Sequence, residues 1–219
     1  MGYSKERIAR LMELIKEIEG RREHPNAGAT YKDVPALKEI DTIVKEQTEG
    51  AEPLDERGLV DSIFLVRFLA RSYEEMWRVA YTVEYHKLLF RLHLELKRRF
   101  DVTEDECADD YYCALRARNY YAEDPCDDLS QAARELIPES RRRMTEKELL
   151  GKKQSMAHDP VELTDEYLAV IDEIDRIMDT PEMKNLHTFV RWEVLQGLFA
   201  ERGIKWSTPA ELNRGFHFD

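Results

Sequence analysis

Six polar side chains punctuate the longest uninterrupted stretch of the chain. Arg71, Glu75, Arg78, Thr82, His86 and His93 fall at offsets of 0, 4, 7, 11, 15 and 22. On a single α-helix these positions lie close to one line. So placed, Arg71, Arg78 and His86 would face a cleft and hold an anionic group, with Glu75 orienting them through charge-assisted hydrogen bonds. A plainer reading competes, and spacing alone favours it, because spacing supplies no pocket. The line is then the wet side of a mostly buried helix. Arg71 and Glu75 become an ordinary i,i+4 surface pair worth about 0.3–0.5 kcal/mol.

The histidines do not read as metal ligands. His86 and His93 share a face but stand seven residues apart, roughly 10.5 Å along a helix axis, whereas zinc–nitrogen bonds are about 2.0–2.1 Å. His158 and Glu162 have i,i+4 spacing, but Pro160 between them argues against a helix there. His187 lies beside the apolar face of its helix and suits a core edge with one hydrogen-bond partner. The acidic line Asp165, Asp172, Asp175 and Asp179 has the oxygen chemistry of Mg²⁺ ligands. No matching acidic motif opens another long helix, so a solvated helix face is the simpler reading. No cofactor is implied.

Arg141, Arg142 and Arg143, with Lys147, Lys152 and Lys153, form one basic cluster. Such a cluster suits phosphate, or RNA with help from Tyr120 and Tyr121. Glu139, Glu146 and Glu148 interleave with it and favour a solvated, mobile loop over Arg141 to Asp159. The cysteines Cys107, Cys113 and Cys126 are odd in number, lack CxxC spacing and sit among acids that raise thiol pKa. They read as reduced thiols of a cytoplasmic protein. No GxxxxGK, GxSxG, HExxH or GxGxxG motif occurs, so no catalytic signature is assembled and the residues lean away from an enzyme.

Something must position these groups. Leu59 to Phe100 is free of Gly and Pro, and none follows before Pro125. Its apolar residues, among them Ile63, Leu69, Trp77, Tyr85, Leu89 and Leu96, cover more than one face. That breadth predicts a central helix surrounded by other helices or by a second copy of the chain. As one helix it exceeds the usual length, and Ala70-Arg71-Ser72 is the weakest place for a break.

Around it, Ser4 caps a helix carrying Ile8, Leu11, Ile15 and Ile18. Pro35 opens a second helix with Leu37, Ile40 and Val44 on its core side, and Asp55 or Asp61 caps the long stretch. Thr103 to Glu106 reads as a capping box for a helix running to about Tyr121. A shorter helix starts at Asp127 or Asp128 and ends at Leu136. Thr164 caps a helix bearing Tyr167, Ile171, Ile174 and Met178. Thr180-Pro181 opens another with Met183, Leu186, Val190, Val194 and Leu198, and Thr208-Pro209 starts a short capped turn. No strand is persuasive.

The expected fold is therefore all-α, a bundle of seven or eight helices around a long central helix at about 59–100. It spans 1–219 as one domain, in which an N-terminal hairpin (4–49) packs loosely on a body (55–219).

With 36% charged and 42% apolar residues, the composition is that of a charged surface around a real core. The net charge of −12 disfavours general nucleic-acid binding, which needs cations to displace counterions. Met1 to Gly20 is charged throughout and does not read as a secretory signal. No apolar run approaches the roughly 20 residues that span a bilayer. The leading functional expectation is a helical interaction or scaffold protein that binds another protein or a second copy of itself. The alternative is a binding protein or enzyme for a small anionic ligand, using Arg71, Glu75, Arg78 and His86. A weaker one has Glu104 to Asp110 and the Asp165–Asp179 face mimic nucleic-acid phosphate and block a basic partner.

Overall fold

In a computed structural model, residues 2–22, 28–118, 129–151 and 156–216 are described. Among them are eleven α-helices and no strand, so the fold is all-α as expected. The expected count is exceeded because the long stretch divides, a helix replaces the expected loop, and two helices are single turns.

The described residues form two compact units. The first holds α1 (Lys5–Gly20), α2 (Val34–Thr48), α3 (Glu56–Glu75), α4 (Val79–Phe100), α5 (Cys107–Arg118), α6 (Leu129–Leu136) and α7 (Glu139–Gly151). The second holds α8 (Asp165–Met178), α9 (Pro181–Lys184), α10 (Thr188–Ala200) and α11 (Pro209–Leu212).

Local signals start several helices where the residues predict, whereas α5 opens at Cys107 and not directly after the expected Thr103 cap. The Ser4 hydroxyl accepts from the Arg7 amide at 3.2 Å and opens α1. Asp55 Oδ1 accepts from the Gly58 amide at 2.8 Å and opens α3. Such caps satisfy first-turn amides that have no partner inside the helix. Apolar side chains at helical spacing then close one core. Leu14 and Ile18 of α1 meet Leu37, Ile40 and Val44 of α2, Leu59, Ile63, Val66 and Leu69 of α3, and Leu89, Leu92 and Leu96 of α4.

The central stretch is not one helix. It breaks at Met76-Trp77-Arg78, later than the Ala70–Ser72 expectation, and α4 folds back against α3. The reason is a Schellman cap. The Arg78 amide donates to the Tyr73 carbonyl and the Trp77 amide to the Glu74 carbonyl, both at 2.9 Å. Trp77 takes the left-handed conformation that this motif requires, with φ of 59°. Glycine usually fills that position, and its absence hides the turn from a reading of the residues. The far end of α4 stops at Asp101, also left-handed at φ 57°. Its basic last turn, Lys97 to Arg99, complements the helix dipole.

The expectation that the central stretch is surrounded holds for α4. Leu89, Leu92 and Leu96 enter the core shared with α1 to α3. The next face of α4 is covered by α5 and α6, which bury Tyr111, Ala114 and Leu115, and Ala132, Ala133 and Leu136. Arg98 of α4 adds a forked pair to Glu135 of α6 at 2.9 Å. The polar segment from Arg141 onward is helical as α7, not a loop, so Arg141, Arg142 and Arg143 share a helix and Arg143 pairs with Glu139. Lys152, Lys153, Tyr120 and Tyr121 lie outside the described residues.

In the second unit Ile171, Ile174, Met178, Phe199 and Ile204 form the core, with Tyr167 stacked on Phe199 at 5.0 Å. The helix expected to run on from Pro181 stops after one turn. His187 then caps α10, its Nδ1 accepting from the Phe189 amide at 3.4 Å. The Asn213 side chain clamps Ala157 like a strand partner. It accepts from the Ala157 amide at 2.7 Å and donates to the Ala157 carbonyl at 3.0 Å.

Candidate functional site

The reversal at Trp77 separates the six polar residues. Arg71 and Glu75 belong to α3, whereas Arg78, Thr82, His86 and His93 belong to the turn and to α4. Arg71 is exposed. Glu75 is turned to the connection between α1 and α2, where Oε2 accepts from the Ala29 amide at 2.8 Å and from Arg22 at 3.3 Å. The four residues expected to hold an anion therefore do not form one cluster.

The α4 residues are not a wet face. Arg78, Thr82, His86 and His93 are 6%, 2%, 3% and 1% exposed. A solvated line had been the simpler expectation, and the helices α5 and α6 overturn it by packing over that face. What results is a polar seam inside the first unit.

Asp110 of α5 anchors the seam. Its carboxylate accepts from Arg67 Nη2 at 2.8 Å and from Arg67 Nε at 3.0 and 3.1 Å. Oδ2 also faces His93 Nε2 at 3.1 Å. Arg67 Nη2 reaches Glu104 at 3.2 Å as well. Burial opposes the charge on Asp110, but the hydrogen bonds from His93 and Arg67 outweigh it and hold the carboxyl below the usual carboxylate range. Burial likewise opposes the Arg67 charge, and Asp110 and Glu104 more than compensate. These partners join α3, α4 and α5.

His86 lies deeper and is less well served. Neither ring nitrogen has a hydrogen-bond partner. Burial pushes its imidazole down to about 4, against the upward pull of Asp110, so it is neutral at neutral pH. His93 Nδ1, one helical face with His86, is also buried and without a partner. An unsatisfied buried polar group costs about 1–3 kcal/mol, and native interiors hold few of them.

Two thiols border the seam. Burial first and Asp110 second push Cys107 up to about 12 and raise Cys113. Both are free cysteines and poor nucleophiles in that state. Arg71 stands close enough to Cys113 to act against that rise, which puts it at the exposed margin of the same region. Among the described residues no three His, Cys, Asp or Glu side chains are grouped to hold a metal ion.

The key members of this network escape a reading by type and spacing. Asp110 looks like one of several acids favouring a helix N-terminus. The signal that finds it is its register: Cys107, Asp110, Tyr111 and Ala114 share the buried side of α5. Arg67 carries no such signal beyond its place in an apolar run.

The second unit has a smaller buried network. Glu162 accepts from Trp206 Nε1 at 3.0 Å and faces His158 Nδ1 at 2.9 Å. Pro160 argues against an α-helix here, yet a 3-10 turn (Pro160–Leu163) still brings His158 and Glu162 together. Asp159 completes the staple by accepting from the Ser207 amide at 2.6 Å.

No family model, curated protein or solved structure matches the chain in comparison.

Proposed function

We propose that the interior polar face of α4 binds a small anionic molecule. The carrying observation is His86, almost fully buried with both ring nitrogens unpartnered. A neutral imidazole placed so gains nothing for stability and has a donor and an acceptor to offer. Arg71 stands at the exposed margin of this region and Arg78 is buried at the start of α4, in a chain of net charge −12. Arg78 and His86 are the proposed contacts, Arg71 the residue at the margin, and Glu75 a holder of the α1–α2 connection.

Calorimetric titration of the full chain with inorganic phosphate tests this. Binding that weakens at least about tenfold in Arg78→Ala, the worth of one charge-assisted hydrogen bond, supports it. Affinity unchanged from the parent chain in Arg71→Ala and Arg78→Ala removes the site assignment.

A second reading, an interaction protein with another protein or a second copy as partner, draws on Phe64 and Trp77, which are 57% and 64% exposed. Large exposed aromatics are typical anchors of interfaces. A strict monomer in light scattering with no partner in a pull-down would sink it. Phosphate mimicry draws less support, since Asp110 is buried and Glu104 is turned to Arg67. A cytoplasmic setting accords with the free thiols Cys107 and Cys113. Among the described residues, no helix is long and apolar enough to cross a membrane.

A further inference from the structure

Met76-Trp77-Arg78 turns the chain back on itself, and nothing in these residue types requires a turn. Trp77 holds φ at 59°, a conformation penalised in any residue that carries a Cβ. From Leu59 to Phe100 neither Gly nor Pro occurs. Straightened, Glu56 to Phe100 would form one helix roughly 65–70 Å long at about 1.5 Å per residue. Straightening removes the left-handed residue and replaces the two bonds of the Schellman cap with ordinary helical ones. Its cost is the packing of α4 and α5 on α3. Tyr73 stacks on Tyr81 at 4.5 Å and on Tyr85 at 5.5 Å. Arg67 pairs with Asp110 at 2.8 Å. Leu59, Ile63 and Val66 share a core with Leu89, Leu92 and Leu96. Each of these contacts joins a residue before the turn to one after it, so a second copy of the chain can supply the missing half.

We infer that the chain dimerises by exchange about this turn: α3 and α4 join into one helix, and α4, with α5 and α6 on it, packs against α1 to α3 of a second copy. The contacts of the closed fold are then remade between copies, so the hinge sets the balance against the entropy of association. A short hinge under strain favours the exchange. The dimer stands independently of the anion-binding reading, but it changes who builds the polar seam. Arg67 of one copy would hold Asp110 and His93 of the other. Exchange is slow, because Tyr73, Val79 and Ala80 beside the turn are buried and the shared core must open first.

The experiment refolds the full chain from urea at low and at high concentration and sizes it by gel filtration with light scattering. A dimer should form at high concentration and persist on dilution in the cold. Trp77→Gly should weaken dimerisation at least about a hundredfold, tenfold for each of the two hinges, since glycine accepts the turn and disfavours a continuous helix. Trp77→Ala removes the indole but keeps the left-handed penalty, so its dimer should remain. A second measurement leaves the turn untouched. Arg67→Glu and Asp110→Arg each break the ion pair when alone. Refolded together, the two chains should exchange into a heterodimer with the native pair in one half and the reversed pair in the other. The mixture should then unfold at a higher urea concentration than either chain by itself, and it reports even if neither folds alone. Three results overturn the inference: a monomer at every concentration, a dimer lost equally in Trp77→Ala and Trp77→Gly (a surface contact of the indole), or a mixture no more stable than its components.

Discussion

Arg67 and Asp110 stand 43 residues apart in the chain and meet in a forked ion pair with a shortest contact of 2.8 Å. Their side chains are 13% and 6% exposed, so the pair lies mostly out of water. It ties α5 to α3, and His93 joins the same carboxylate from α4. A buried pair of this kind is costly to break from one side and much less costly to replace whole.

That asymmetry yields the first prediction. Asp110→Asn leaves Arg67 charged and mostly buried with Glu104 as its remaining carboxylate, and should lose about 3 kcal/mol in urea unfolding, the low end for a broken buried pair. The double replacement Arg67→Met with Asp110→Leu should lose clearly less than the single change. A double variant as unstable as the sum of its parts would show that the pair is not energetically coupled.

Stability should also depend on pH through His86. Its folded pKa of about 4 lies below the ordinary value of 6.5, so the unfolded chain binds more protons between these values. Stability therefore rises with pH across that window and is lost as pH falls from about 6.5 towards 4, by roughly 3 kcal/mol in all. Asp110 adds a separate loss at lower pH. Its depressed folded pKa contributes stability that is complete above about pH 4 and is lost below it. Unfolding of His86→Leu, measured from pH 7 to 4, should show a much shallower slope and a higher stability at pH 5. An unchanged slope would remove His86 as its source.

Trp77 occupies a position that glycine fills at lower cost. Its φ of 59° places a bulky residue in the left-handed region, while its side chain is 64% exposed. Trp77→Gly should preserve the helical reversal and raise stability by about 1 kcal/mol, by relieving the left-handed penalty. A loss of stability would mean that the indole contributes packing larger than the backbone strain. If Trp77 anchors a partner, the same variant should gain stability and lose the complex.

Asn213 is the corresponding test in the second unit. It is 7% exposed, satisfies both backbone groups of Ala157, and donates to the Pro209 carbonyl at 2.8 Å. Asn213→Ala should lose about 1–2 kcal/mol, since the half-buried amide and carbonyl of Ala157 both lose their side-chain partner. Fluorescence of Trp206, which packs against Phe199 at 5.5 Å, reports the unfolding. A change below about 0.5 kcal/mol, the usual range for a surface substitution, would place this clamp in solvent exchange.

The all-α class, the helix starts and most core faces were decided by the residues themselves. They rest on contacts within a few positions. Ser4, Asp55, Thr164, Thr180 and Thr208 each cap the helix that follows, and Leu37, Ile40 and Val44 repeat at the period of the helix they bury. Local chemistry of that kind survives in any tertiary setting. The turn at Trp77 did not announce itself, because its hydrogen bonds are ordinary and its left-handed residue is not a glycine. The meaning of the polar line depended wholly on tertiary packing. Type and spacing place Thr82, His86 and His93 on one side of a helix, but they do not say what lies opposite. Only the arrival of α5, with Asp110 turned inward to Arg67, makes that side an interior. Burial then changes what the same residues can do: a histidine that would be a solvated base at the surface becomes a neutral, unpartnered group inside the protein.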